Sequence, residues 1–233
     1  MAQSSEFIDL HSHTNASDGT LSPAQLIALA QSKQLAALSI TDHDTFDGYD
    51  AALPLAKAAG FDLVRGIELN SRLVLPGSSQ PRFVHMLVYF PGPEPTPGFH
   101  TWLAEQRTER RERNTKLVHA LQERGVQITL EEVEARGRSL TGRPHFAKLL
   151  VEKGYVPNFE EAFRQYLGEE APSFVERDSK TTEEVIGLAR EGGGIPVVAH
   201  PIRIGQVRSG SVTGSAWSWG SISLPLCVTI LVQ

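Results

Sequence analysis

The chain has one cysteine, Cys227, among its 233 residues. That excludes an intrachain disulfide framework and a cysteine-rich zinc site, and it makes a reducing, cytoplasmic compartment the expectation. Aromatic residues are scarce, at 7%. An excess of positive charge is also missing: 22 Lys and Arg against 27 Asp and Glu leave a net of −5. Stable binding along double-stranded DNA requires clustered Lys and Arg, so it is not expected; a local basic site is compatible with the composition. No apolar run reaches the roughly 20 residues of a membrane span, since SISLPLCVTILVQ is only about a dozen long and contains Pro225. No membrane partner is therefore expected. The start, MAQSSEFIDL, lacks the basic and apolar regions of a secretory leader. What is present is ordinary for a folded protein, with 40% hydrophobic and 21% charged residues in a length that suits one domain, or one domain with an insertion.

The N-terminal part alternates strands and helices. Glu6 to Leu10 predicts a short strand running into the polar turn HSHTNASDGT. Ser22-Pro23-Ala24-Gln25 has the grammar of a helix start, with Ser22 as N-cap, Pro23 in the first position and Gln25 closing a capping box. Leu35 to Ile40 predicts a buried strand ending in TDHDTFDG. A helix follows over Tyr49 to Ala59, closed by Gly60. Phe61 to Leu69 and Phe83 to Phe90 predict two more strands, carrying Glu68 and His85. This rhythm is that of a parallel α/β architecture.

After the break PGPEPTPG the pattern turns helical, with segments from Phe99 to Arg124, Leu130 to Gly137, Arg143 to Gly154, Asn158 to Leu167 and Thr181 to Arg190. Residues of about 99–180 are expected to form a helical insertion, before a strand over Ile195 to Ala199 ends at His200. The run RTERRERNTK alternates acids with arginines. It is expected to be a solvated helix face with Glu109–Arg113 and Glu112–Lys116 at i,i+4 spacing.

The last 30 residues depart in composition. They hold a single charged residue, Arg208, yet two of the three tryptophans and the one cysteine. Residues 204–233 are expected to be an atypical, poorly ordered tail outside a domain of residues 5–203.

Metal-ligating residue types recur at apparent strand ends. In His11-Ser12-His13, residues i and i+2 of a strand point to one face, so both imidazoles can converge. Asp18 follows in the same loop. Asp42-His43-Asp44, Glu68, His85 and His200 each sit at or near the end of another strand, where α/β barrels place their active sites. Imidazoles with carboxylates and no thiolates suit Zn²⁺, Mn²⁺ or Fe²⁺. There are more candidates than one tetrahedral ion uses, which implies a multinuclear site, the type that serves phosphoryl transfer. Neither a GxSxG nor a P-loop pattern offers an alternative.

The ordered motifs FIDLHSHTNASDGTLSP, LSITDHDT, RGIELN, the histidine of VHMLVY, and PVVAHP resemble the PHP (polymerase and histidinol phosphatase) family over most of residues 5–203. The resemblance implies a distorted (β/α)7 barrel, an α/β fold, with up to three divalent ions and phosphoester hydrolysis. It implies His11, His13, Asp18, His43, Glu68, His85 and His200 as metal ligands. The helical insertion and TGRPHFAKLL look most like the branch that removes the 3′-phosphate of 3′,5′-bisphosphonucleotides or acts on RNA 5′ ends. Arg143 and His145 would then bind substrate, a small phosphorylated molecule or short RNA. The mechanism this implies is attack by a metal-activated hydroxide. No side chain is assigned as catalytic, although Asp18, His43 and His200 are the nearby candidates.

Complete members of that family continue beyond the AHP motif and end with an Asp-x-His. Here no histidine follows His200 and no aspartate follows Asp178. The barrel is therefore expected to be incomplete at the C-terminus. A truncated, catalytically impaired remnant is the alternative from a different class. Histidinol-phosphatase-like chemistry and an amidohydrolase-type zinc barrel are further alternatives, the last disfavoured by the lack of a suitably placed lysine. A polymerase-linked role is disfavoured by the absence of a polymerase domain.

Overall fold

The computed structural model describes residues 7–74, 81–137 and 140–201, and the short strands at 217–219 and 222–224. One sheet organises the molecule. Strands β1 (Ile8–Ser12), β2 (Ala37–Ile40), β3 (Asp62–Leu73), β4 (Arg82–Phe90) and β5 (Ile195–Val198) lie in the order β1-β2-β3-β4-β5. β1, β2 and β3 pair parallel, whereas β4 runs antiparallel to both β3 and β5. The parallel rhythm read from the sequence thus holds through β3 and fails at β4. The physical reason is connection length: only the segment between Leu73 and Arg82 joins β3 to β4, and a parallel return needs a crossover of roughly a dozen residues or more.

The sheet curls. Tyr89 Oη on β4 donates to the Leu10 carbonyl on β1 at 2.8 Å, although the two strands are not neighbours. Leu10, Val64, Leu87, Tyr89, Val197 and Ala199 fill the concave face. On the convex side, α1 (Pro23–Ser32) and α2 (Asp47–Ala58) cover Leu38 and Ile40. The capping box stands at the start of α1: Ser22 Oγ accepts from the Gln25 amide, and the Ser22 amide donates to Gln25 Oε1 at 2.9 Å. Gly60 follows α2 with φ +61°, the left-handed conformation expected of a helix-terminating glycine.

The chain between β4 and β5 is helical: α3 (Pro97–Gln122), α4 (Leu130–Glu134), α5 (Arg143–Glu152), α6 (Phe159–Ala162), a π-helical turn (Phe163–Leu167) and α7 (Thr182–Glu191). It divides its allegiance. Phe99, Trp102 and Leu103 at the start of α3, with Val185 and Ala189 of α7, pack on the convex face against Ile67, Met86 and Val88. The far half of α3 turns away from the sheet. Its Leu117, Val118 and Leu121 build a separate core with Val133, Phe146, Leu149, Leu150 and Leu167.

Among the described residues β1 and β5 each have one strand partner, and Phe7, Ile8 and Ile195 at their starts are exposed. Most of the tail expected to be poorly ordered lies outside the described residues. Within it Trp217–Trp219 and Ile222–Leu224, β6 and β7, pair antiparallel as a separate ladder that periodicity did not predict. No helix among the described residues is long and apolar enough to cross a membrane.

Candidate metal centre and substrate cavity

All seven residues proposed as ligands meet at one end of the sheet, around Glu68. This carboxylate is 1% exposed. Its Oε2 lies 3.2 Å from His11 Nε2, 2.9 Å from His13 Nε2 and 3.6 Å from His43 Nε2, and its Oε1 lies 2.8 Å from His85 Nδ1 and 3.1 Å from His200 Nε2. Asp18 closes the other side, 3.2 Å from His13 Nδ1 and 3.6 Å from His43 Nε2. Three groups have donor atoms close enough to share an ion: His11–Glu68–His200, His13–Asp18–His43 and His43–Glu68–His85. Glu68 and His43 each belong to two of them.

Local structure explains the convergence. The pairing of β1 with β2 passes from Asp9↔Leu38 to Ser12↔Ile40, so β1 carries one extra residue. A bulge of this kind re-aims side chains next to a site, and simple alternation did not foresee it. His43 lies just past β2, bridged in parallel register to Glu68. His85 lies near the start of β4 rather than its end. Because β4 is reversed, its start reaches the same rim as the ends of the other strands. His200 follows β5 with φ +33°, an uncommon conformation for a residue with a side chain.

The electrostatics are those of a site built around positive charge. Burial alone would push the Glu68 carboxyl up, but the His43 charge and hydrogen bonds from His11, His13 and His200 hold it far below the usual range. Burial likewise opposes ionisation of Asp18, and His13 and His43 overcome it. His13 is pulled down by burial and more strongly raised by Asp18 and Glu68, to about 10. Burial lowers His43 to about 4. Its Nδ1 is buried without a hydrogen-bond partner. Two carboxylates that stay ionised amid five imidazoles fit divalent cations, which would satisfy the same charges without the proton on His13.

The two acids flanking His43 do other work. Asp42 accepts from the Thr14 amide at 2.8 Å and from the Thr14 and Ser17 hydroxyls at 2.6 Å each, pinning the loop that bears His13 and Asp18. Helix α2 must come close for this. A Cβ on Gly48 would stand 1.9 Å from Asp42 Oδ2, so only glycine fits. Asp44, 1% exposed, pairs with Arg110 Nε at 3.0 Å and Arg177 Nη1 at 2.6 Å. Burial disfavours its charge, yet Arg177 and Arg110 hold its carboxyl well below the ordinary aspartate range.

This corrects part of the expectation for RTERRERNTK: Thr108, Arg111, Glu112 and Lys116 are exposed as expected, but two arginines turn inward. Arg110 and Arg113 are 7% and 8% exposed and face the cavity rather than solvent. In place of the expected pairing with Arg113, Glu109 accepts from Gln106, while Arg111 reaches Glu134 on α4. A sequence signal was available. Trp102, Leu103, Gln106, Arg110, Arg113, Leu117 and Leu121 are all buried and recur at helical spacing, so the apolar stripe of α3 runs on through polar residues.

The rim of candidate ligands opens into a cavity of about 470 Å³. One wall is basic, with Arg110, Arg113, Arg143 and Arg177, and another is apolar, with Phe83, Leu140, Phe163, Phe174 and Val175. Arg143 donates to the Leu167 carbonyl at 3.3 Å and lies 5.7 Å over the Phe174 ring. His145 Nδ1 accepts from the Gly142 amide at 3.1 Å, which fixes the neutral tautomer with its proton on Nε2. Burial lowers its pKa, in keeping with that neutral state. Both residues line the cavity, with His145 also capping the start of α5. Arg110, Arg113, Arg177 and the aromatic wall were not anticipated.

Comparison with known proteins places these features in context. A family model described as PHP domain matches residues 9–169. The chain is 30% identical to a 5′-3′ exoribonuclease of Haemophilus influenzae, over 94% of this chain and 79% of that protein. It is 30% identical to a 3′,5′-nucleoside bisphosphate phosphatase of Chromobacterium violaceum, over 87% of this chain and 69% of that one. Its fold matches the crystal structure of a protein from Bifidobacterium adolescentis described as a metal-dependent phosphoesterase, with a TM-score of 0.75 at 30% identity over 88% and 71% of the two chains.

Proposed function

The chain belongs to the PHP domain family, and from that premise we propose that His11, His13, Asp18, His43, Glu68, His85 and His200 hold up to three divalent ions for hydrolysis of a nucleotide phosphoester. The chain is a metal-dependent phosphoester hydrolase. The substrate proposed is a 3′,5′-bisphosphonucleotide or a short RNA 5′ end, the classes in the names of its relatives. The observation that carries the reading is Glu68, whose two oxygens face different sets of imidazoles in the manner of a carboxylate shared between ions.

Divalent ions there would supply an activated water and neutralise phosphate oxygens. The chain's own residues do the rest. Asp42 fixes the His13–Asp18 loop, so the site is organised before substrate arrives. Arg143 offers a planar fork for a phosphate oxygen and is half-buried, which strengthens the contact. The apolar wall suits the flat face of a base or a ribose. Among the described residues no lysine lines the cavity, which disfavours the amidohydrolase-type alternative.

The test is phosphate release from a 3′,5′-bisphosphonucleotide, with metal content measured in parallel. Activity should vanish on chelation and return with Mn²⁺, Zn²⁺ or Fe²⁺, with about three ions bound per chain. One ion or none, with no release, would support the impaired remnant instead.

A further inference from the structure

The cavity holds more positive charge than its surroundings answer. Four guanidinium groups line it, those of Arg110, Arg113, Arg143 and Arg177. Asp44 takes two of them, pairing with Arg110 and Arg177. Arg143 is held by the Leu167 carbonyl and the Phe174 ring. Arg113 remains. It is 8% exposed, its Nε is buried with no hydrogen-bond partner, and it makes no ion pair among the described residues. Burial, then the charges of Arg110, Arg143 and Arg177, push its pKa well down, with Asp44 opposing. A buried guanidinium without a counter-charge costs several kcal/mol in general, and a chain that keeps one is poised for an anion to arrive. The charges that act most on Arg113 are those of Arg110, Arg143, Arg177 and Asp44, none of them among the seven proposed ligands, so the anion it awaits lies away from the Glu68 cluster.

We infer that Arg113 is a specificity-determining residue that binds a second phosphate of the substrate, distinct from the one hydrolysed. This rests on the phosphoesterase reading above and assigns the substrate two anionic groups, one at the metal centre and one at the basic wall. Arg113 suits the task better than its neighbours. Arg110 and Arg177 would have to abandon Asp44, whereas Arg113 has an unpartnered Nε and no ion pair to give up among the described residues. Its helix is fixed on either side, by the Arg110–Asp44 pair and by Asn114 Nδ2 donating to the Thr141 carbonyl at 3.0 Å. The guanidinium is therefore presented without further ordering cost. The same chemistry is offered by a terminal monoester or by the next phosphodiester of a short RNA.

The experiment compares wild type with Arg113→Met and Arg113→Lys. Metal-free protein is first melted alone, then with a nucleoside 5′-monophosphate, with a dinucleoside monophosphate that has only a diester, and with the bare nucleoside. Wild type should gain Tm with a phosphate-bearing ligand and not with the nucleoside. Arg113→Met should lose that gain, Arg113→Lys should keep part of it, and the stronger of the two phosphate ligands identifies monoester or diester. Without ligand, Arg113→Met should melt at or above the wild-type temperature, because an unpaired buried charge has been removed. With metals, the preference of kcat/KM for a 3′,5′-bisphosphonucleotide over a 3′-monophosphonucleotide should fall roughly 10- to 100-fold in Arg113→Met, mostly through KM. Equal losses on both substrates, or a lower Tm in the ligand-free variant, would overturn the assignment. If wild type hydrolyses neither substrate, the phosphoesterase reading fails, while the metal-free melts still decide Arg113.

Discussion

The two walls of the cavity are built by opposite means. At the rim of the sheet, each strand or the loop after it contributes one to three proposed ligands, and backbone pairing sets the positions of most. Glu68, for example, is fixed by the β3–β4 register opposite Leu87 and by the bridge to His43. At the helical wall the arginines project from long side chains, and side-chain contacts across the fold hold them. Asp44 joins Arg110 on α3 and Arg177 before α7 to the loop after β2. A rim made from backbone can tolerate loss of one ligand and keep its shape. A wall made from a buried charge triad cannot lose its centre without loosening three segments at once.

Three substitutions probe that contrast, in descending order of effect. Glu68→Gln removes the charge shared by the proposed ion groups, so phosphatase activity should fall by at least about 10³-fold, on the scale of losing the key electrostatic group of a site. The fold should survive, as read by circular dichroism. A variant that unfolds would show that the rim depends on Glu68 for shape as well as charge. Asp44→Asn should cost stability, on the order of 4 kcal/mol in denaturant melts, since two buried guanidinium groups lose their counter-charge. Its pH dependence has a definite sign. Arg177 and Arg110 lower the folded-state value below the ordinary 3.8, so this stabilisation is complete above that value and is lost as pH falls through the folded one. The gap between wild type and variant should therefore be flat near neutrality and close in acid. Leu150→Ala opens a cavity in the separate helical core and should cost on the order of 3 kcal/mol, leaving kcat per folded molecule unchanged. Loss of bound metal in that variant would show that the two regions are not energetically separate.

How much was legible in the sequence follows the same division. Most of the proposed ligands stand in short motifs at predicted strand ends, so local pattern sufficed to find them, whereas His85 sits inside its predicted strand and reaches the rim because β4 is reversed. The capping box at Ser22–Gln25 was legible because four consecutive residues contain the whole interaction. The reversal of β4 was harder, although the short Pro- and Gly-containing link before Arg82 carried the clue. The Asp44–Arg110–Arg177 triad was not legible, because its partners are 66 and 133 residues apart in the chain. Nothing local in RTERRERNTK says which arginine turns inward; only the continued spacing from Trp102 to Leu121 does.

Closure of the rim by His200 has a consequence in time. The first ligand, His11, leaves the ribosome 189 residues before the last. At about 5–20 residues per second, roughly 10–40 s separate the two. During synthesis the early strands can pair and fold, but Glu68 must wait with one side of its carboxylate unmatched until β5 adds the final imidazole. The proposed metal centre would thus double as a checkpoint. Only a chain translated through β5, with its long helical crossover already threaded back onto the sheet, can bring together all seven of the proposed ligands.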